Sequence, residues 1–140
     1  MTEPTDDDIR RILTGVKSIA VVGWSANADR PSHRVAAFLK AKGYRVIPVN
    51  PGQAGRESGL GEAVRASLAE VAGEVDMVDI FRRAEEVAPV VDEALELPGL
   101  RAIWMQLGIR HSEAAATARA RGIDVVQDRC PAIEIPRLGL

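Results

Sequence analysis

Five short, unbroken apolar runs recur along the chain, and the segments between them keep a different rhythm. The runs occupy 18–23, 44–49, 75–80, 101–106 and 123–127. Their continuity predicts strands buried on both faces, as in a parallel sheet. The intervening segments read as helices. Over 6–14, Ile9, Ile12 and Leu13 share a face, with carboxylates in the first turn. The segment 31–42 opens with Pro31, stops at Gly43 and has Val35, Phe38 and Leu39 as its apolar face. In 84–97, Val87, Val90, Val91, Ala94 and Leu95 line up, and Pro89 is tolerable only near the first turn. The segment 112–121 is alanine-rich, with Ser112 as its expected cap and Gly122 as its stop. A shorter helix is expected over 62–68, and the chain is expected to finish in a short tail after the fifth strand.

This alternation predicts right-handed β-α-β crossovers. The expected fold is α/β, a Rossmann-like three-layer arrangement with a five-stranded parallel sheet in the order 3-2-1-4-5 and helices on both faces. Residues 1–140 are expected to form one domain. The glycine-rich stretch 52–61 is expected to be a mobile loop.

Composition removes several classes of function. The net charge of −2 leaves no basic excess, which argues against a nucleic-acid partner. No apolar run approaches the roughly 20 residues that span a bilayer, so no membrane role is expected. The acidic start, 1–8, fits neither a signal nor a transit peptide, and a cytoplasmic location is the expectation. The single cysteine, Cys130, excludes an intramolecular disulfide. The fifteen arginines against three lysines suit phosphate binding, although a GC-rich genome or a heat-adapted source produces the same bias.

In open α/β sheets the ligand sits beyond the carboxyl ends of the strands. Four segments should meet there. After the first strand, Gly23, Trp24, Ser25 and Asn27 lead to Arg30, Ser32 and Arg34 at a helix start, where free amides attract phosphate. No G-x-G-x-x-G fingerprint is present. After the second strand stand Pro48, Val49, Asn50 and Pro51, two prolines forming a rigid wall suited to adenine or a pantetheine arm. An NAD site would want a carboxylate there. After the third strand come Ile80, Phe81, Arg82 and Arg83, whose adjacent guanidinium groups need water or an anion. After the fourth come Gln106, Leu107 and Gly108, with Gln106 able to bond a ligand amide. Spacing alone reaches a nucleotide-like ligand. Each segment also admits a plain reading as an ordinary cap, turn or solvated loop.

The strings Val21-Val22-Gly23-Trp24-Ser25-Ala26-Asn27, Arg30-Pro31-Ser32, and Gly43-Tyr44-Arg45-Val46-Ile47-Pro48-Val49-Asn50-Pro51 resemble the small bacterial CoA-binding-domain proteins. So do Val78-Asp79-Ile80-Phe81-Arg82-Arg83, Trp104-Met105-Gln106-Leu107-Gly108 and Asp128-Arg129-Cys130-Pro131. That family is similar to the CoA-binding domain of the succinyl-CoA synthetase α subunit. The resemblance implies coenzyme A, or an acyl-CoA, held across the strand ends. Gly23, Ser25 and Asn27 would lie near the diphosphate, and Arg30, Ser32 and Arg34 near phosphate contacts. Pro48, Asn50 and Pro51 would border the nucleotide, and Ile80, Phe81 and Arg82 would face pantetheine or phosphates.

The synthetase forms its phosphohistidine in a second domain, for which this chain is too short, so ligase activity is not carried over. His33 and His111 have no triad or metal-ligand spacing and read as surface or capping residues. No catalytic and no metal-binding residues are assigned. Cys130 is either a small buried residue or, beside Arg129, a reactive thiolate able to form a mixed disulfide with the ligand thiol. The function expected is a stand-alone, non-catalytic CoA-binding module, a sensor or carrier, with a protein partner or a homo-oligomer left open. The alternatives are an NAD(P)-dependent oxidoreductase and a CoA-ligase subunit that needs a separate chain.

Overall fold

A computed structural model describes residues 3–140, so Met1 and Thr2 of the acidic start lie outside the described residues. The elements are α1 (Asp6–Gly15), β1 (Ser18–Val22), α2 (Pro31–Ala41), β2 (Arg45–Val49), β3 (Met77–Ile80), α3 (Val87–Ala94), β4 (Ala102–Met105), α4 (Ser112–Ala120), β5 (Asp124–Val126) and α5 (Pro131–Arg137). The five strands pair in parallel as a Rossmann-like α/β sheet.

Alternate strand residues feed two cores. Ala20, Val22, Ile47, Val78, Ile80, Ile103 and Met105 pack against α3, α4 and the 3₁₀ turn Leu68–Val71. Ile19, Val21, Val46, Met77 and Trp104 pack against α1, α2 and α5. Burial on both faces is why the strands read as unbroken apolar runs.

The strand order is β2-β1-β3-β4-β5, not 3-2-1-4-5. Pro48 supplies a physical reason. Its carbonyl accepts from the Arg65 amide at 2.9 Å on the outer edge of β2, so its missing N–H also points outward. A full strand on that side would lose a ladder bond at the proline, and proline is confined to edges for that reason. The third strand instead crosses back and pairs with the free side of β1.

The connection from β2 to β3 departs from the expected 62–68 helix. Arg65 lends its backbone to the edge of β2, with the Asn50 amide donating to its carbonyl at 2.9 Å. Groups used this way are unavailable to a helical ladder. Arg45 and Arg65 also converge on Glu62 and Glu74, and they hold the Glu74 carboxyl down at a pKa of about 2. The stretch 52–61 folds back as a hairpin, closed by an antiparallel bridge between Glu57 and Ala63 and by Gly55 donating to the Val64 carbonyl at 2.7 Å.

Three smaller differences concern helix ends. The α-helix begins at Val87, which places Pro89 in its first turn. The cap of α4 is His111, whose ring nitrogen accepts from the Ala114 amide at 3.0 Å, and Ser112 is the first helical residue. The tail is the helix α5, opened by Pro131 and anchored by the buried Ile135.

At the centre of the sheet Asp79 stands between Val21 and Trp104, fully buried on the face of α1, α2 and α5. Neither carboxylate oxygen has a hydrogen-bond partner. Burial pushes its carboxyl well above the usual carboxylate range. The native state therefore keeps a proton that the unfolded chain loses near pH 4, and stability falls as pH rises through the interval between the two pKa values. Thermal melts of Asp79→Asn should show a Tm above wild type at pH 8 and a smaller advantage at pH 5. A constant difference between those pH values would refute a protonated Asp79.

Candidate functional site

The strand order puts the point where the chain reverses direction at β1/β3, not at β1/β4 as the order 3-2-1-4-5 implies. From β1 the chain leaves for β2 on one side, and from β3 it runs outward through β4 and β5 on the other. The segments after β1 and β3 diverge there and open a crevice.

Gly23 ends β1. Its amide donates to the Val49 carbonyl at 2.9 Å, and its φ is 88°. A Cβ on Gly23 would lie 2.3 Å from the Phe81 carbonyl oxygen. Glycine is thus required twice, by the left-handed backbone and by the close approach of the neighbouring strand end.

The loop from Gly23 to α2 is wound by its own side chains. Ser32 Oγ accepts from the Ser25 amide at 3.1 Å, Ser25 Oγ from the Asn27 amide at 3.1 Å, and Asn27 Oδ1 from the Asp29 amide at 2.9 Å. His33 stacks on the buried Trp24 with ring centres 5.5 Å apart, and its Nδ1 lies 2.9 Å from the Ser25 carbonyl oxygen. From the end of β2, Asn50 Nδ2 donates to the Trp24 carbonyl at 2.7 Å. Gln53 Oε1 accepts from the Ala26 amide at 3.0 Å.

These segments enclose a cavity of about 860 Å³, within the usual range for small-molecule sites. Gly23, Ser25, Arg30, Ser32 and Arg34 line it from the first segment, and Asn50 from the second. Phe81, Arg82 and Arg83 line it from the third, and Gln106 and Leu107 from the fourth. The other candidates lie off it. Trp24 is packed beneath the loop, Asn27 serves an internal turn, and Val49 and Ile80 point into the core. Pro48 belongs to the edge of β2, Pro51 opens a 3₁₀ turn, and Gly108 donates its amide to Asp128 at 2.6 Å. Asp128, with a φ of 58°, thereby braces the segment after β4.

Pro31, Val35, Gln53, Glu86, Ile109 and Cys130, outside the site residues that the sequence suggests, also line the cavity. Val35 and Pro31 were legible as neighbours of Arg34 and Arg30 on the first turn of α2. Glu86 and Cys130 reach the cavity only through tertiary folding. Cys130 is buried, and the Arg129 guanidinium beside it donates to Glu134 at 3.0 Å.

Four arginines and one carboxylate face the cavity, although the chain as a whole is net negative. Arg34 is steadied by donating to the Asp29 carbonyl at 2.5 Å. Phe81, Leu107, Ile109 and Val35 give an apolar side, and Leu107 is 56% exposed. Gln106 Oε1 is buried with no hydrogen-bond partner. The arrangement can take an anionic, partly apolar ligand. A second hollow of about 330 Å³ opens beside Arg11 and Asp124, which pair at 2.8 Å.

The CoA binding domain family matches residues 17–136. A relative in Bacillus subtilis, the uncharacterized protein YneT, is 38% identical over 130 residues, 93% of each chain. The structure of cell-free ID.343 from Thermus thermophilus superposes with a TM-score of 0.89 at 40% identity, covering 96% of this chain and 98% of that one. A hypothetical protein from Pyrococcus horikoshii OT3 gives 0.88 at 33% identity, covering 100% and 99%.

Replacing Gly23 with Ala should destabilise the fold by about 2–4 kcal/mol, from steric overlap plus left-handed strain. Urea unfolding measures this, and a loss below about 0.5 kcal/mol would mean that the two strand ends are not clasped as described.

Proposed function

The chain belongs to the CoA-binding domain family, and from that premise we propose that it binds coenzyme A, free or acylated, as a non-catalytic cytoplasmic module formed by residues 1–140. The observation that carries this reading is the concentration of Arg30, Arg34, Arg82 and Arg83 around the cavity at the β1/β3 strand ends. Guanidinium groups donate paired N–H bonds to phosphate oxygens, and a crevice with an apolar wall strengthens such bonds. The start of α2 adds the partial positive charge of a helix N-terminus.

The remaining lining fits the rest of the molecule. Phe81, Leu107, Ile109 and Val35 offer apolar surface to adenine and the pantetheine chain. Gln106 also lines the cavity, and a side-chain amide can bond an amide of the ligand. Coenzyme A supplies a reactive thiol when bound. This chain's own residues bind and orient it, and the role is that of a sensor or carrier. An NAD(P) reading has less support: Asn50, where a ribose-binding carboxylate would stand, spends its amide on the Trp24 carbonyl.

Mass spectrometry of the native protein should detect co-purified CoA, and calorimetry should give weaker CoA binding for Arg30→Ala and Arg82→Ala, by about tenfold each. Unchanged affinity in both variants, or NADH binding as tightly as CoA, would overturn the proposal. Cys130 lines the same cavity, so saturating acetyl-CoA, which has no free thiol, should slow its alkylation by iodoacetamide at neutral pH. Equal rates with and without acetyl-CoA would place the ligand elsewhere.

A further inference from the structure

Glu86 is out of character with its surroundings. It is the acidic side chain among the residues lining an arginine-rich cavity. It ends the 3₁₀ turn Ala84–Glu86 that leads into α3, where Arg82 and Arg83 fold back onto it. Arg82 Nη2 lies 2.9 Å from Glu86 Oε1. Arg83 donates to Glu86 Oε2 through Nη2 at 2.9 Å and Nε at 3.0 Å. Each carboxylate oxygen is thus engaged by a different arginine, and all three side chains face the cavity.

A carboxylate and a phosphate compete for the same edges of a guanidinium group. The outcome depends on charge. A singly charged group offers the arginines no more than Glu86 already does, and displacing Glu86 also brings a like charge beside it. A phosphate monoester carries nearly two charges at neutral pH and three acceptor oxygens, enough to take both arginines from one carboxylate.

We propose that Glu86 is a specificity-determining residue, holding Arg82 and Arg83 until a doubly charged phosphate monoester displaces it. The site then favours ligands with a terminal phosphate over the same ligands without one. This rests on the reading of the cavity as a CoA site and assigns the 3′-phosphate of CoA to the Arg82–Arg83 pair.

The test is calorimetric affinity for CoA and for dephospho-CoA, which lacks only that monoester, in wild type, Glu86→Gln and Glu86→Asp, with circular dichroism melts confirming folded protein. Wild type should prefer CoA by about tenfold. In Glu86→Gln CoA should bind severalfold more tightly, because its 3′-phosphate no longer has to displace a carboxylate, while dephospho-CoA, which puts no group on the arginine pair, changes little, so the preference widens. Glu86→Asp, which keeps the charge on a shorter arm, should leave the ratio closer to that of wild type. A CoA to dephospho-CoA ratio that is the same in wild type and Glu86→Gln would overturn the role of Glu86 while leaving CoA binding intact. If neither ligand binds either protein, the CoA reading itself fails, and this inference fails with it.

Discussion

The approach of two strand ends governs the rest of this molecule. Where β1 stops, its last backbone turn lies against the carbonyl of Phe81 at the end of β3, with no room for a side chain between them. Because the strands are parallel and adjacent, their outgoing chains separate immediately. One winds into α2, and the other turns through the two arginines toward α3. The cavity is the gap left by that separation, and its charge comes from side chains that happen to lie on both departing segments.

The alternation of elements, the two-sided burial of the strands and the helix-start and strand-end segments that form the rim were all legible in the sequence. They rest on local rules: apolar continuity, Pro31 opening α2 and Gly43 closing it. The strand order differs from the one that the alternation suggests, although Pro48 carries a signal for it. A proline within an apolar run marks a sheet margin, whereas the order 3-2-1-4-5 puts β2 inside the sheet. The connection through Arg65 was hidden for a related reason. Its backbone partners lie on β2, and local spacing does not report bonds to a distant strand.

The site divides along the same line. Residues next to a strand end or a helix start line the cavity because topology sends those positions to the rim. Glu86 and Cys130 arrive from the far side of a turn and from the start of the last helix, and their presence depends on how α3 and α5 dock. Trp24, Asn27 and Asn50 show the converse. Their hydrogen bonds and stacking build the loop that shapes the cavity, so residues with the look of ligand contacts serve largely as its scaffold.

The outward-facing proline of β2 has one more consequence. That rim of the sheet lacks a donor at Pro48, and the backbone of Arg65 already covers the positions beside it. The opposite rim, β5, is three residues long and begins with a carboxylate paired to Arg11. Unprotected margins invite neighbouring molecules to zip on by strand addition, and short or proline-bearing margins discourage it. A protein built this way can be crowded at high concentration without its sheet templating fibrils.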